Sequence, residues 1–195
     1  MNADTARAPV EAVVVGASAG GVHALQRITA ALPARFAPAL LVVLHLPPDR
    51  PSGLAALLAA QCALPVAEAV DKMPVQPGSV TLAPPDYHLL VEPDFTLALS
   101  LDAPVLHSRP AIDPLFESAA AAWGERLLGV LLTGGSADGS AGLAEIRRRG
   151  GQAWVQDPAT AATGTMPASA LEHAGADAVL SLEEICARLA GLTHR

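Results

Sequence analysis

Three side chains in this sequence have the chemistry of a nucleophile, a base and an orienting acid. Each follows a run of residues that reads as a β-strand. Ser18 stands in "VVVGASAGG", His45 closes "ALLVVLH", and Asp138 lies in "LLTGGSADGSAG". A serine hydroxyl becomes a nucleophile when an imidazole takes its proton, and a carboxylate on the other ring nitrogen orients that imidazole and supports its charge. The expected geometry puts the carboxylate on Nδ1 of His45, leaving Nε2 to face Ser18. Residues so far apart in the chain can meet only where several strands end together.

The turn around Ser18 admits two chemical readings. Gly16-Ala17-Ser18-Ala19-Gly20 fits G-x-S-x-G, a strand-to-helix turn that exposes a serine beside unpaired backbone N–H groups. The competing reading is a phosphate-binding loop. A dinucleotide fingerprint, however, would place Ser18 where a glycine lets backbone approach a pyrophosphate, and it wants an acid about 20 residues further on. The next strand instead ends in His45, and no Gly-Lys-Ser/Thr loop is present. Taken singly, Ser18 could be a helix N-cap, His45 an ordinary polar residue at a strand end, and Asp138 a cap for a helix beginning near Ser140. The remaining histidines, His23, His88, His107, His173 and His194, show no H-x-H or H-E-x-x-H spacing, so no metal site is expected.

The elements that must position these residues alternate along the chain. Short β-rich runs predict strands at 11–17, 39–45, 66–70, 129–134, 152–157 and 178–182. Helical patterns fill Gly21–Leu32, Ser52–Gln61, Asp113–Trp123, Ser140–Arg149, Pro167–Ala174 and Glu183–Leu192. Such alternation implies right-handed crossovers and a parallel sheet buried on both faces, and near-continuous apolar runs such as "ALLVVL" fit that burial. The middle stretch "SVTLAPPDYHLLVEPDFTLALSLD" carries turn residues between short strands and predicts a β-hairpin, at a sheet edge or over the carboxyl rim. The fold class is α/β: a doubly wound, mainly parallel sheet with helices on both faces and an added hairpin. A tail at 1–10 precedes a single domain at 11–195. In an open sheet of this kind sites form outside the carboxyl ends of the strands, where Ser18, His45 and Asp138 all fall.

Composition narrows the function classes. The chain has 195 residues, of which 51% are hydrophobic and 3% aromatic, so the core should be aliphatic. No apolar run approaches the roughly 20 residues needed to cross a bilayer, and the N-terminus lacks the basic region of a secretory signal; a cytoplasmic protein without membrane insertion is expected. A net charge of -7 argues against nucleic-acid binding. The one basic run, Arg147 to Arg149, ends a helical pattern, where cations suit the helix dipole. Cys62 and Cys186 have no CxxC spacing and read as reduced, buried thiols.

Six stretches in order, "VVVGASAGGVHAL", "VVLHLPPD", "VTLAPPDYHLLV", "SRPAIDPLFESAA", "GVLLTGGSADGSAGLAEIRRRGG" and "VQDPATAATGTMPASAL", resemble the catalytic domain of the CheB-type chemotaxis protein-glutamate methylesterases over about residues 11 to 190. The resemblance implies hydrolysis of glutamate γ-methyl esters on the cytoplasmic signalling helices of methylated chemoreceptors, releasing methanol, and often deamidation of receptor glutamines. It implies a catalytic triad of Ser18, His45 and Asp138 that needs no cofactor. Oxyanion donors would come from backbone near Ala19 and Gly135, and Arg109 in "SRPAIDPLF" matches a position near the site. The family usually has Thr after the serine and Met in the glycine-rich loop, where this chain has Ala19 and Gly135, and Ser136 replaces a glycine. Many members also carry an N-terminal receiver domain. With only about ten residues before the first strand, no such switch is expected within this chain, and the protein by itself is expected to be constitutively active unless a separate regulator restrains it. A serine hydrolase of the same fold acting on another ester, and a non-catalytic or nucleotide-binding α/β signalling module, are the competing readings.

Overall fold

The computed structural model describes residues 8–46 and 52–193; most of the 1–10 tail and His194 lie outside the described residues. The described residues form nine strands: β1 (Ala12–Ala17), β2 (Ala39–Leu44), β3 (Val66–Glu68), β4 (Val80–Leu82), β5 (His88–Val91), β6 (Leu97–Ser100), β7 (Leu127–Leu131), β8 (Gln152–Gln156) and β9 (Ala178–Leu180). Between them run the helices α1 (Gly21–Ala31), α2 (Leu54–Ala59), α3 (Ile112–Trp123), α4 (Ser140–Arg148), α5 (Thr165–His173) and α6 (Leu182–Ala190). Seven strands pair in parallel in the order β3-β4-β2-β1-β7-β8-β9. The chain thus builds outward from β1 on one side and returns to its other side at β7. The strand order reverses between β1 and β7, and the crevice outside their carboxyl ends is where such sheets bind ligands.

The continuous apolar strands follow from burial on both faces. Val13 and Val15 of β1, with Leu40, Val42 and Leu44 of β2, face α1, α2 and α6, where Leu25, Ile28, Leu58, Ile185 and Leu189 complete one core. Their neighbours Ala12, Val14, Leu41 and Val43 face Phe116, Leu143 and Met166 of α3, α4 and α5 in the second core. Alternate residues therefore feed opposite cores, and neither face has room for a polar side chain. Each fully buried Leu or Ile contributes about 1.5–3 kcal/mol, so the strand ends are held by rigid packing.

The middle region departs from the expectation. Val80–Leu82 is not a hairpin strand but joins the main sheet, pairing in parallel with both β2 and β3. Its three side chains are buried, and only the main sheet gives them two apolar faces. The hairpin is β5–β6, with Leu89 opposite Leu99 and Val91 opposite Leu97. The two strands form a sheet of their own and pair with no edge of the main one. Leu89, Val91 and Leu97 pack into the second core with α3.

The basic run ends α4 as expected: Arg148 and Arg149 both bond Glu145, while Arg147 donates to the carbonyl of Ala174. Cys62 and Cys186 are free thiols. Among the described residues no helix is long and apolar enough to cross a membrane.

Candidate active site

Ser18 and His45 are neighbours by register. Ala17 pairs with Leu44 at the ends of β1 and β2, so the next residue of each strand emerges at the same rim. The backbone confirms the pairing, since His45 N donates to the carbonyl of Ala17 at 3.1 Å. On the other side, Ser18 N donates to the carbonyl of Thr133 beyond β7 at 2.9 Å. The serine turn is therefore held by both flanking strands.

Ser18 does not cap a helix. The N-cap of α1 is Gly20, in the left-handed region at φ 81°, and no side chain caps the helix. Gly20 is required twice over, by that φ and because a Cβ there would stand 2.7 Å from the Cβ of Ala162. Among the described residues the Ser18 hydroxyl has no hydrogen-bond partner, and the side chain is part-exposed at the rim.

Asp138 is fully buried and receives three hydrogen bonds. Its Oδ2 accepts from His45 Nε2 at 2.7 Å and from Ile112 N at 2.7 Å, and its Oδ1 accepts from Asp113 N at 3.0 Å. Asp138 is a helix cap after all, but of α3 rather than of α4, whose N-cap is Gly139. The first amides of α3, which has no capping side chain of its own, are satisfied by a carboxylate delivered from the β7–α4 loop. Burial alone would raise the Asp138 carboxyl. The His45 bond and the two amides outweigh it and hold the carboxyl below the usual carboxylate range.

The imidazole is oriented opposite to expectation. Asp138 binds Nε2 of His45, not Nδ1, so Nδ1 is left as the ring nitrogen able to take a proton. His45 projects from the end of β2 toward a carboxylate that the first amides of α3 also hold. The imidazole side chain is only 12% exposed.

The two amides expected to hold an oxyanion are available. Neither Ala19 N nor Gly135 N donates a hydrogen bond among the described residues, and both residues are exposed at the rim. The glycine loop approaches the serine closely: a Cβ on Gly134 would lie 3.0 Å from Ser18 Cβ and 2.6 Å from Met166 Cε. Ser136, where the family has a glycine, tightens the loop locally, its hydroxyl accepting from Asp138 N at 3.0 Å.

Arg109 lies close to this site along the chain, three residues before Ile112, but its guanidinium is engaged elsewhere. Nε and Nη2 donate to Asp86 Oδ1, and Nη1 donates to the carbonyls of Leu101 and Asp102. It clasps the segment following β6 to the turn before β5.

Several contributors escaped the sequence reading. Asp113 accepts from Gly142 N at 2.7 Å, tying α3 to α4. Burial pushes its carboxyl up to about 6 against that bond, and repulsion from Asp138 and Glu117 adds to the rise. His88 is buried, its Nδ1 accepting from Ala111 N and its Nε2 donating to the carbonyl of Ala103, so it fixes the backbone just ahead of the amides that hold Asp138. Thr133 and Gln156, also buried, bond each other behind the serine turn. The only available signal was a polar residue at the edge of an apolar strand pattern, and that does not name its partner.

The CheB methylesterase family model matches residues 13–189. A Leptospira interrogans protein, provisionally named a protein-glutamate methylesterase/protein-glutamine glutaminase, is 43% identical over 90% of this chain and 91% of its own length. A protein-glutamate methylesterase/protein-glutamine glutaminase of Anaeromyxobacter dehalogenans is 46% identical over 91% of this chain, which spans 52% of that relative's length. The crystal structure of the Thermotoga maritima CheB methylesterase catalytic domain superposes with a TM-score of 0.90 at 33% identity, covering 95% of this chain and all of that one. With the fold, the ordered motifs and the serine turn all in agreement, this chain belongs to the CheB methylesterase family.

Proposed function

We propose that this protein hydrolyses glutamate γ-methyl esters on the cytoplasmic helices of chemoreceptors, using Ser18, His45 and Asp138. The observation that carries the reading is the 2.7 Å bond between His45 and a fully buried Asp138, formed at the rim where β1 delivers an uncapped serine. The two names carried by the relatives, methylesterase and glutaminase, support this substrate class.

In this reading His45 keeps its proton on Nε2, where Asp138 accepts it, and Nδ1 removes the proton from Ser18 Oγ as the oxygen attacks the ester carbonyl. The oxyanion that develops takes hydrogen bonds from Ala19 N–H and Gly135 N–H. Collapse of the tetrahedral species breaks the bond to the methoxy oxygen, His45 returns its proton to that oxygen, and methanol leaves. A water molecule, activated by the same nitrogen, then cleaves the acyl-enzyme and restores Ser18. A glutamine side chain follows the same path with ammonia as the leaving group. Ala19 and Gly135 serve through their backbone, so the family's usual side chains at those positions are not needed for this step. Arg109 acts by fixing the hairpin segments at the site margin through Asp86, and a receptor helix meets the surface that those segments form.

The test is methanol release from a methylated receptor fragment by wild type and Ser18→Ala. Ser18→Ala should abolish release and leave the melting temperature within a few degrees, because one part-exposed hydroxyl contributes little to packing. Undiminished release by the variant would refute the nucleophile. A wild type inert toward receptor yet active on simple carboxylic esters would move the substrate to another ester.

A further inference from the structure

We propose that Thr133 is a positioning residue for ester hydrolysis, whose buried hydroxyl holds the Ala19 and Gly135 amides in one rigid frame. The inference rests on the serine-esterase reading and adds to it a residue that never touches substrate.

Thr133 lies just beyond β7, is 2% exposed, and uses every polar atom it has. Its N–H donates to Gln156 Oε1 at 2.9 Å, and its carbonyl accepts from Ser18 N at 2.9 Å. Its hydroxyl donates to the carbonyl of Ala19 at 2.8 Å and accepts from Thr163 N at 2.9 Å. The peptide bearing Ala19 N–H is thus pinned on both sides, through the amide before it and the carbonyl after it, and both pins belong to one residue.

The second oxyanion donor is tied to the same frame. Gly134 N donates to the carbonyl of Thr163 at 3.0 Å, and the carbonyl of Gly134 accepts from Met166 N at 2.9 Å. The peptide carrying Gly135 N–H is therefore seated on the 163–166 segment, which the Thr133 hydroxyl joins to the serine turn. A Cβ on Gly20 would come within 3.2 Å of Thr133 Oγ1, so the turn rests directly on this hydroxyl. Oxyanion stabilisation depends on donors held where charge will develop, and freedom in either peptide weakens it.

Thr133→Val preserves shape and removes the hydroxyl, leaving the Ala19 carbonyl and Thr163 N–H without their partner. Because the donors are displaced rather than deleted, the loss in kcat should fall below the 10²–10³-fold cost of removing an oxyanion donor, at roughly 10- to 100-fold, with KM within about threefold. Thr133→Ser, which restores the hydroxyl, should recover kcat to within about threefold of wild type. Phenylboronic acid, whose tetrahedral serine adduct carries an oxygen in the oxyanion position, should lose affinity for the Val variant in parallel with kcat. A folded Val variant with wild-type kcat and boronate affinity would overturn the proposal. So would a Ser variant as slow as Val. If Val does not fold, Thr133→Ala removes the same hydroxyl and should lower kcat with KM within about threefold; a folded Thr133→Ala enzyme of full kcat and wild-type boronate affinity would overturn the proposal equally. A wild type that neither hydrolyses esters nor binds the boronate would instead refute the esterase reading on which this rests.

Discussion

Replacing Asp138 with Asn changes one atom and sets three donors against a group that can accept at only one end. His45 Nε2 and Ile112 N share Oδ2, and Asp113 N uses Oδ1. If the Asn oxygen takes the Oδ2 position, its NH₂ faces Asp113 N–H, and one buried donor is orphaned. If the oxygen takes the Oδ1 position, the NH₂ faces Ile112 N–H and the imidazole. His45 must then shift its proton to Nδ1, the nitrogen that should receive the proton of Ser18. Either arrangement strands a buried amide, at about 1–3 kcal/mol. For a chain of this size that amounts to roughly 2–4 °C of melting temperature per kcal/mol. The kinetic loss is separate and larger. The chymotrypsin-type precedent for this substitution loses about 10⁴ in kcat through the wrong tautomer, and the first arrangement leaves room for partial compensation, so at least roughly 10² is expected. The assay is kcat/KM for methanol release beside thermal unfolding, with Ile185→Val as a control. That substitution lies in the opposite core and costs a comparable 0.5–1.5 kcal/mol. The control should lose stability and keep its rate. An Asp138→Asn enzyme that behaves like the control would reduce Asp138 to a cap of α3 and refute the triad.

Gly134→Ala should cost about 1–3 kcal/mol of stability by overpacking and lower kcat at least severalfold, because Met166 can yield at its flexible end while Ser18 Cβ, 3.0 Å from the new methyl, cannot without moving the nucleophile; wild-type kinetics would show that the loop can retreat from Ser18. Asp113 titrates near 6 in the folded protein against 3.8 ordinarily. Its stabilising contribution is therefore fully present below about pH 4 and is lost as pH rises through 6. Asp113→Asn keeps an acceptor for Gly142 N, so its melting temperature should match or exceed wild type at pH 8 and show a smaller decline between pH 4 and 7; equal pH profiles would discount the buried charge. Arg109→Lys loses the forked grip on Asp86 and the two carbonyls, and should raise KM for the receptor fragment severalfold with kcat little changed. A fall in kcat alone would place Arg109 nearer the chemistry.

Much of this protein is written along the chain. The alternation of apolar strands with helical patterns specifies a parallel sheet buried on both faces, because a strand such as Ala39–Leu44 with no polar residue can be satisfied in no other way. The serine turn is partly local, since Gly20 in the left-handed region marks a strand-to-helix corner in the sequence itself. Tertiary structure decided everything that depends on which elements meet. Val80–Leu82 is a main-sheet strand rather than half of a hairpin because β2 and β3 leave a gap there, and three residues carry no mark of their partners. Asp138 caps α3 rather than α4, and His45 presents Nε2 to it rather than Nδ1, because the fold brings the first amides of α3 and the imidazole to the same carboxylate. Thr133, Gln156 and His88 are anonymous polar residues in one dimension. They acquire roles only where burial forbids an unpaired donor and the fold sets a specific backbone group in reach. Residue types and local periodicity suffice for elements and for the kind of chemistry, whereas hydrogen-bond partners are chosen by distances across the folded chain.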